Sequence, residues 1–180
     1  MTISTKTQLI QNLKNTFQAT IDWINKQPED HFNKDLVAGK WTIAGHLYHL
    51  IKSTKGVSQG MIMPKEGLAT MFGKNNRDER SFEDTYKKYK STVIKNNSKT
   101  TNSYEAEAGR IFERSALIKR FEDELNDFIQ AMERWDEDEM SIYVLPHPAM
   151  GKCTIREFVY FTIFHTNHHL NSLQENYAQY

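Results

Sequence analysis

The sequence predicts an all-α fold, a four-helix bundle with one extra peripheral helix. Two observations lead there. Apolar residues recur three and four apart through several long segments, each closed by proline, glycine or a polar run. No segment shows a convincing apolar–polar strand alternation. The chain has 180 residues, so it reads as one domain over residues 1–180, large enough to bury a core without disulfides or other staples.

The first helix is expected from about Thr5 to Lys26. Leu9, Leu13, Phe17 and Ile21 follow at four-residue intervals, with Ile10 and Ile24 beside them, and Pro28 stops the run. The second begins near Thr42, which suits an N-cap, and buries Ile43, Leu47, Leu50 and Ile51; Gly56 and Gly60 weaken its far end. A stretch rich in glycine and charge follows, from Gly67 to Arg80. Ser81 and Asp84 then resemble a capping box, opening a third helix with Phe82, Tyr86, Tyr89 and Val93 on one face. That helix is the peripheral, lid-like one, and the polar run Lys95 to Ser103 ends it.

The fourth helix spans about Arg114 to Trp135 and buries Leu117, Phe121, Leu125, Phe128, Ile129 and Met132. The acidic run Asp136 to Glu139 reads as a solvated connection. Ser141 to Gly151, with Pro146 and Pro148, is expected to be extended or turning. Thr154 and Glu157 form a capping-box pair that starts the last helix, which runs to about Tyr177.

Composition limits function. Lys+Arg 23 balances Asp+Glu 23, whereas a nucleic-acid protein carries a basic excess. No run approaches about 18 apolar residues, so no membrane span is expected. Met1 to Leu9 lacks the apolar core of a signal peptide, and the single cysteine, Cys153, allows no internal disulfide; the expected location is the cytoplasm.

The histidines carry the chemistry. Of seven, three crowd into the last helix as His165, His168 and His169. His165 and His169 are four apart, which puts both imidazoles on one side of a helix, a turn apart, where both can reach one ion. They share a line with Ile155, Val159 and Leu173, so they point inward. Two ligands do not make a site, and bundle cores commonly complete one from a facing helix. The second helix offers His46 and His49 near its apolar arc, and periodicity does not choose between them.

A resemblance does. Trp41-Thr42-Ile43-Ala44-Gly45-His46-Leu47-Tyr48-His49-Leu50 resembles the first motif of the DinB/YfiT-like superfamily, in which a histidine eight residues after the tryptophan is a metal ligand. That position is His49. The segment His147 to Phe158 resembles the lead-in to the family's last helix, and the histidine pair four apart matches His165 and His169. Gly45 departs from the family, which often carries Glu or Gln there, and so removes a capping-box partner without touching the ligands. The resemblance implies an up-down-down-up bundle, often a homodimer. It also implies a nickel, zinc or iron ion on His49, His165 and His169. Characterised relatives include mycothiol-dependent maleylpyruvate isomerases and bacillithiol transferases.

Three neutral imidazoles leave such an ion doubly charged with an open position, a site for Lewis-acid work. The expected function is a metal-dependent enzyme acting on a small-molecule substrate, a hydrolase or a transferase using a low-molecular-weight thiol. The alternative is a non-catalytic metal- or small-molecule-binding bundle. No catalytic residue is assigned; His46 and Tyr48 are the candidates for groups around the ligands. His168 is expected at the rim, His147 as an anchor of the loop before the last helix, and Cys153 as inert. Phe158, Phe161 and Phe164 read as core and interface rather than a substrate box.

Overall fold

In the computed structural model, three helices open on threonine side-chain caps, two of them at the threonines the sequence marks as caps, Thr42 and Thr154. The structure describes residues 5–95 and 110–178; Met1 to Ser4 and the 96–103 part of the polar run lie outside the described residues. Thr5 caps α1 (Lys6–Asn25) in a capping box with Gln8. Thr42 caps α2 (Ile43–Met61), accepting from the Gly45 amide at 2.9 Å, and Gly45 returns no bond. Thr154 caps α7 (Ile155–Asn176) in a full box with Glu157. The fourth long helix, α5 (Arg114–Glu133), opens on Glu113, whose carboxylate takes the amides of Ala116 and Ser115 and is held below the usual range by them.

Contacts at the helix ends fix the directions. The Lys6 ammonium donates to the Glu133 and Trp135 carbonyls, and Arg114 reaches back to the Ile24 carbonyl, so α1 and α5 are antiparallel. Trp135 Nε1 donates to the Met61 carbonyl while Tyr48 packs on Phe112, so α2 and α5 run the same way. Asn167 meets Thr16 and Tyr177 meets Trp23, so α7 runs with α1. The order is therefore up-down-down-up. Leu9, Leu13 and Phe17 of α1, Leu47 and Leu50 of α2, Phe121 and Phe128 of α5, and Val159 of α7 are wholly buried between them.

The peripheral helix is α4 (Phe82–Lys95), laid along α7 through rings: Phe82 on Tyr160, Tyr86 on Phe164, and Tyr89 on Phe161 and Phe164. Among the described residues no helix is long and apolar enough to cross a membrane.

The structure refines four of these expectations. α2 continues through both glycines to Met61, and at Gly60 the Leu145 side chain fills the space a Cβ would take, 2.8 Å from it. Within the glycine- and charge-rich stretch lies the end of a short helix, α3 (Lys65–Phe72), capped by Gly73 at φ +77°. The acidic run is an exposed connection from Asp136 to Asp138, as expected, but it is tied down: Glu139 opens α6 (Glu139–Ile142) and pairs with Lys65 at 2.6 Å, and Glu137 pairs with the buried Arg156 at 2.8 Å. Finally, the segment before α7 is extended and turning as expected, and its two extended parts pair as an antiparallel hairpin, β1 (Val144–His147) with β2 (Gly151–Thr154). Strands of four residues are too short for an alternation to register, and Pro146 is tolerated because a two-stranded ribbon has only edges.

His147 anchors that hairpin. Its Nδ1 accepts from the Ala149 and Met150 amides at 3.0 and 3.2 Å. Burial, with the Arg80 guanidinium in support, pushes the imidazole down to about 4. An unfolded histidine titrates near 6.5, so the unfolded chain takes up the proton first. The stability contributed by this neutral ring is complete above pH 6.5 and drains as pH falls toward 4. His147→Asn keeps an acceptor without the titration. Urea midpoints from pH 7 to 4 should show the wild type losing up to about 3 kcal/mol more than the variant. Parallel curves would contradict this assignment.

Candidate metal centre

Helices α2 and α7 face each other antiparallel, which brings the two histidine-bearing turns to one level. His49 Nε2 lies 3.2 Å from His165 Nε2, and His165 Nε2 lies 3.1 Å from His169 Nε2. All three rings are buried, and a ligand atom from each lies within 4.8 Å of the others. At a metal–nitrogen distance of about 2.1 Å, two imidazoles stand about 3.4 Å apart in a tetrahedral site and about 3.0 Å apart at right angles. The observed separations lie between the two, so the side chains fit an ion with little movement.

Proton accounting favours the same fit. Each neutral imidazole has one N–H and one lone pair. With each ring's proton on Nδ1, three Nε2 lone pairs would face a common point, and a cation would satisfy them at once. Neutrality is secured by the surroundings. Burial first, and then neighbouring histidines, hold His165 and His169 well below the usual range. His46 is pushed down to about 3 by burial and by His49. Metal binding needs imidazole rather than imidazolium, so this core keeps its ligands ready.

The other sequence candidates divide. His46 reaches the centre, its Nδ1 2.9 Å from His169 Nδ1. Tyr48 does not join it: its ring packs on Phe112 at 4.9 Å and its hydroxyl accepts from Arg110 at 3.3 Å. Neighbours on a helix point about 100° apart, so a residue beside His49 faces a different partner. His168 is exposed at the rim, its ring 5.3 Å from that of His169. Cys153 is buried and its thiol is pushed up to about 11 by burial and Glu157, which suits an inert role.

Three aromatic residues wall the site without having been given that role by the sequence. Trp41 lies parallel to His169, centroids 5.9 Å apart with 5° between planes, and 5.0 Å from His49. Phe161 stacks on His165 at 4.8 Å and 17°. Tyr89 of α4 meets His165 edge-on at 6.0 Å. Phe161 could have been found, since it precedes His165 by one turn; Tyr89 comes from another helix and left no sequence signal.

The family model described as the DinB superfamily matches residues 9–173. Among solved structures the chain is similar to YfiT from Bacillus subtilis, described as a probable metal-dependent hydrolase with an unusual four-helix bundle topology. The TM-score is 0.60 at 13% identity, over 96% of this chain and 87% of that one, and the likeness is one of fold. No curated protein matches.

Proposed function

Because the chain belongs to the DinB superfamily, we propose that it is a metal-dependent hydrolase whose divalent ion is held by His49, His165 and His169. The observation that carries this reading is the convergence of three buried Nε2 atoms, two of the separations being 3.1 and 3.2 Å. An ion held by His49, His165 and His169 would supply Lewis-acid chemistry, polarising a substrate oxygen and lowering the pKa of bound water or thiol toward neutral pH.

The chain's own residues bind, orient and shield. α2 and α7 present the ligands from opposite sides, so the geometry is set by helix packing rather than by loops. Trp41 and Phe161 cover two of the ligand rings and keep bulk water from those sides. Tyr89, its phenol pushed up to about 12 by burial, keeps its proton at neutral pH and can donate a hydrogen bond but not act as a base. Cys153 supplies no thiol, so a transfer reaction would draw its thiol from solution.

The test is a panel of activated esters and amides, with and without added low-molecular-weight thiols. It compares protein loaded with zinc, nickel or ferrous iron with chelator-treated protein. Hydrolysis should appear in at least one loaded form, vanish on chelation and return with metal. Turnover only with an added thiol would move the assignment to a transferase. Failure of all three metals to bind would end the reading.

A further inference from the structure

We propose that His46 is a positioning residue for the metal centre, selecting the tautomer of His169 that leaves its Nε2 free as a ligand. This rests on the three-histidine reading and extends it to a fourth imidazole. His46 Nδ1 and His169 Nδ1 are 2.9 Å apart, with the rings inclined at 69°. A bond between two neutral imidazole nitrogens contains one proton, so one ring donates and the other accepts. If His46 donated, His169 would carry its own proton on Nε2, pointed at His165 Nε2 3.1 Å away, and could not bind an ion. If His169 donates, its Nε2 keeps a lone pair, and His46 accepts at Nδ1 with its proton on Nε2. Only the second arrangement lets three Nε2 atoms share a cation.

Metal-bound histidines usually hand their second N–H to a carboxylate, a carbonyl or water. Here the acceptor is another imidazole, one turn before the ligand His49 on α2. One helix thus supplies a ligand to the ion and a brace to the ligand opposite. Both rings are buried, and Trp41 flanks each, parallel to His169 and edge-on to His46 at 5.5 Å.

The test compares wild type, His46→Asn and His46→Leu. Asparagine can place an acceptor near the position of Nδ1, whereas leucine fills volume and accepts nothing. Cobalt(II) and zinc affinities are measured by chelator competition. The leucine variant should bind about 10–100-fold more weakly, with the asparagine variant within roughly threefold of wild type. In the cobalt-loaded protein, the paramagnetically shifted N–H proton of His169 should exchange slowly in wild type and rapidly in the leucine variant. Nitrogen-15 NMR of zinc-loaded wild type, which needs no mutation, should show His46 Nδ1 unprotonated. Equal loss of affinity in both variants, unchanged affinity in the leucine variant, or a protonated His46 Nδ1 would each overturn the proposal. If wild type takes up neither metal, the three-histidine reading itself fails, an outcome separate from any difference between variants.

Discussion

Glu157→Ala is expected to cost about 3–5 kcal/mol of unfolding free energy, the range for removing one partner of a buried ion pair. Glu157 is wholly buried at the first turn of α7. One oxygen accepts from Arg77 Nη1 and the Arg80 amide, both at 2.8 Å; the other accepts from Arg77 Nη2 at 2.7 Å and the Thr154 amide at 3.1 Å. The Arg77 fork is bidentate, the geometry in which guanidinium and carboxylate gain most. Alanine would strand the guanidinium and two backbone amides together, and it would remove half of a capping box. Arg77 keeps a third of its side-chain surface exposed and can move into water, which limits the loss at that end. The Thr154 amide cannot follow. Glu157→Gln keeps an acceptor and loses the charge, so it should fall between alanine and wild type. Urea unfolding of metal-free protein reads all three. A shift under about 1 kcal/mol for alanine would mean that the loop and the helix start relax together without penalty.

Glu157 also shows what the sequence could and could not convey. The pairing of Thr154 with Glu157 is visible as two residues three apart, because a capping box is local. Arg77 lies eighty positions away in the chain, and nothing in the intervening residues marks it. The same division runs through the molecule. The helices were legible from Leu9, Leu13, Phe17 and Ile21 and from their counterparts in α5 and α7, since burial on one side imposes a helical period. The hairpin was not, because four residues per strand carry too few turns of a period to register. The acidic run is solvated from Asp136 to Asp138 as its composition suggests, but its partners Lys65 and Arg156, which meet Glu139 and Glu137, come from elsewhere in the chain and left no local mark.

At the site, His165 and His169 declared themselves by spacing. His46 and His49, three apart, both fall on the buried arc of α2, and both turn out to reach α7. What separates them is which nitrogen of which partner each meets. That is a matter of side-chain register between two helices, and a single helix's period has no access to it. Family resemblance supplied the choice of His49, and Tyr48 shows its limit: adjacency to a ligand in sequence carries no proximity in space.

His165→Ala should abolish tight metal binding while leaving the bundle folded. His165 is the ligand in the middle, its Nε2 3.2 Å from that of His49 and 3.1 Å from that of His169. Loss of a ligand should weaken binding by more than the roughly 100-fold upper figure for loss of an outer brace. Two imidazoles would remain, one from each helix, without the ring that links them. The fold has less to lose: the buried side chains of α1, α2, α5 and α7 lie along the whole bundle, and one imidazole is a small part of them. Metal-dependent thermal stability separates the two effects. Metal at about 1,000 times its dissociation constant stabilises the native state by about 4 kcal/mol. In a chain of this length that is a rise in Tm of roughly 8–16 °C. Wild type should show a rise of that order on adding the preferred metal, and the variant essentially none. A variant that keeps both the rise and the helical circular dichroism of wild type would show that the ion, if bound, is held elsewhere, and the convergence of these three nitrogens would then be a feature of core packing alone.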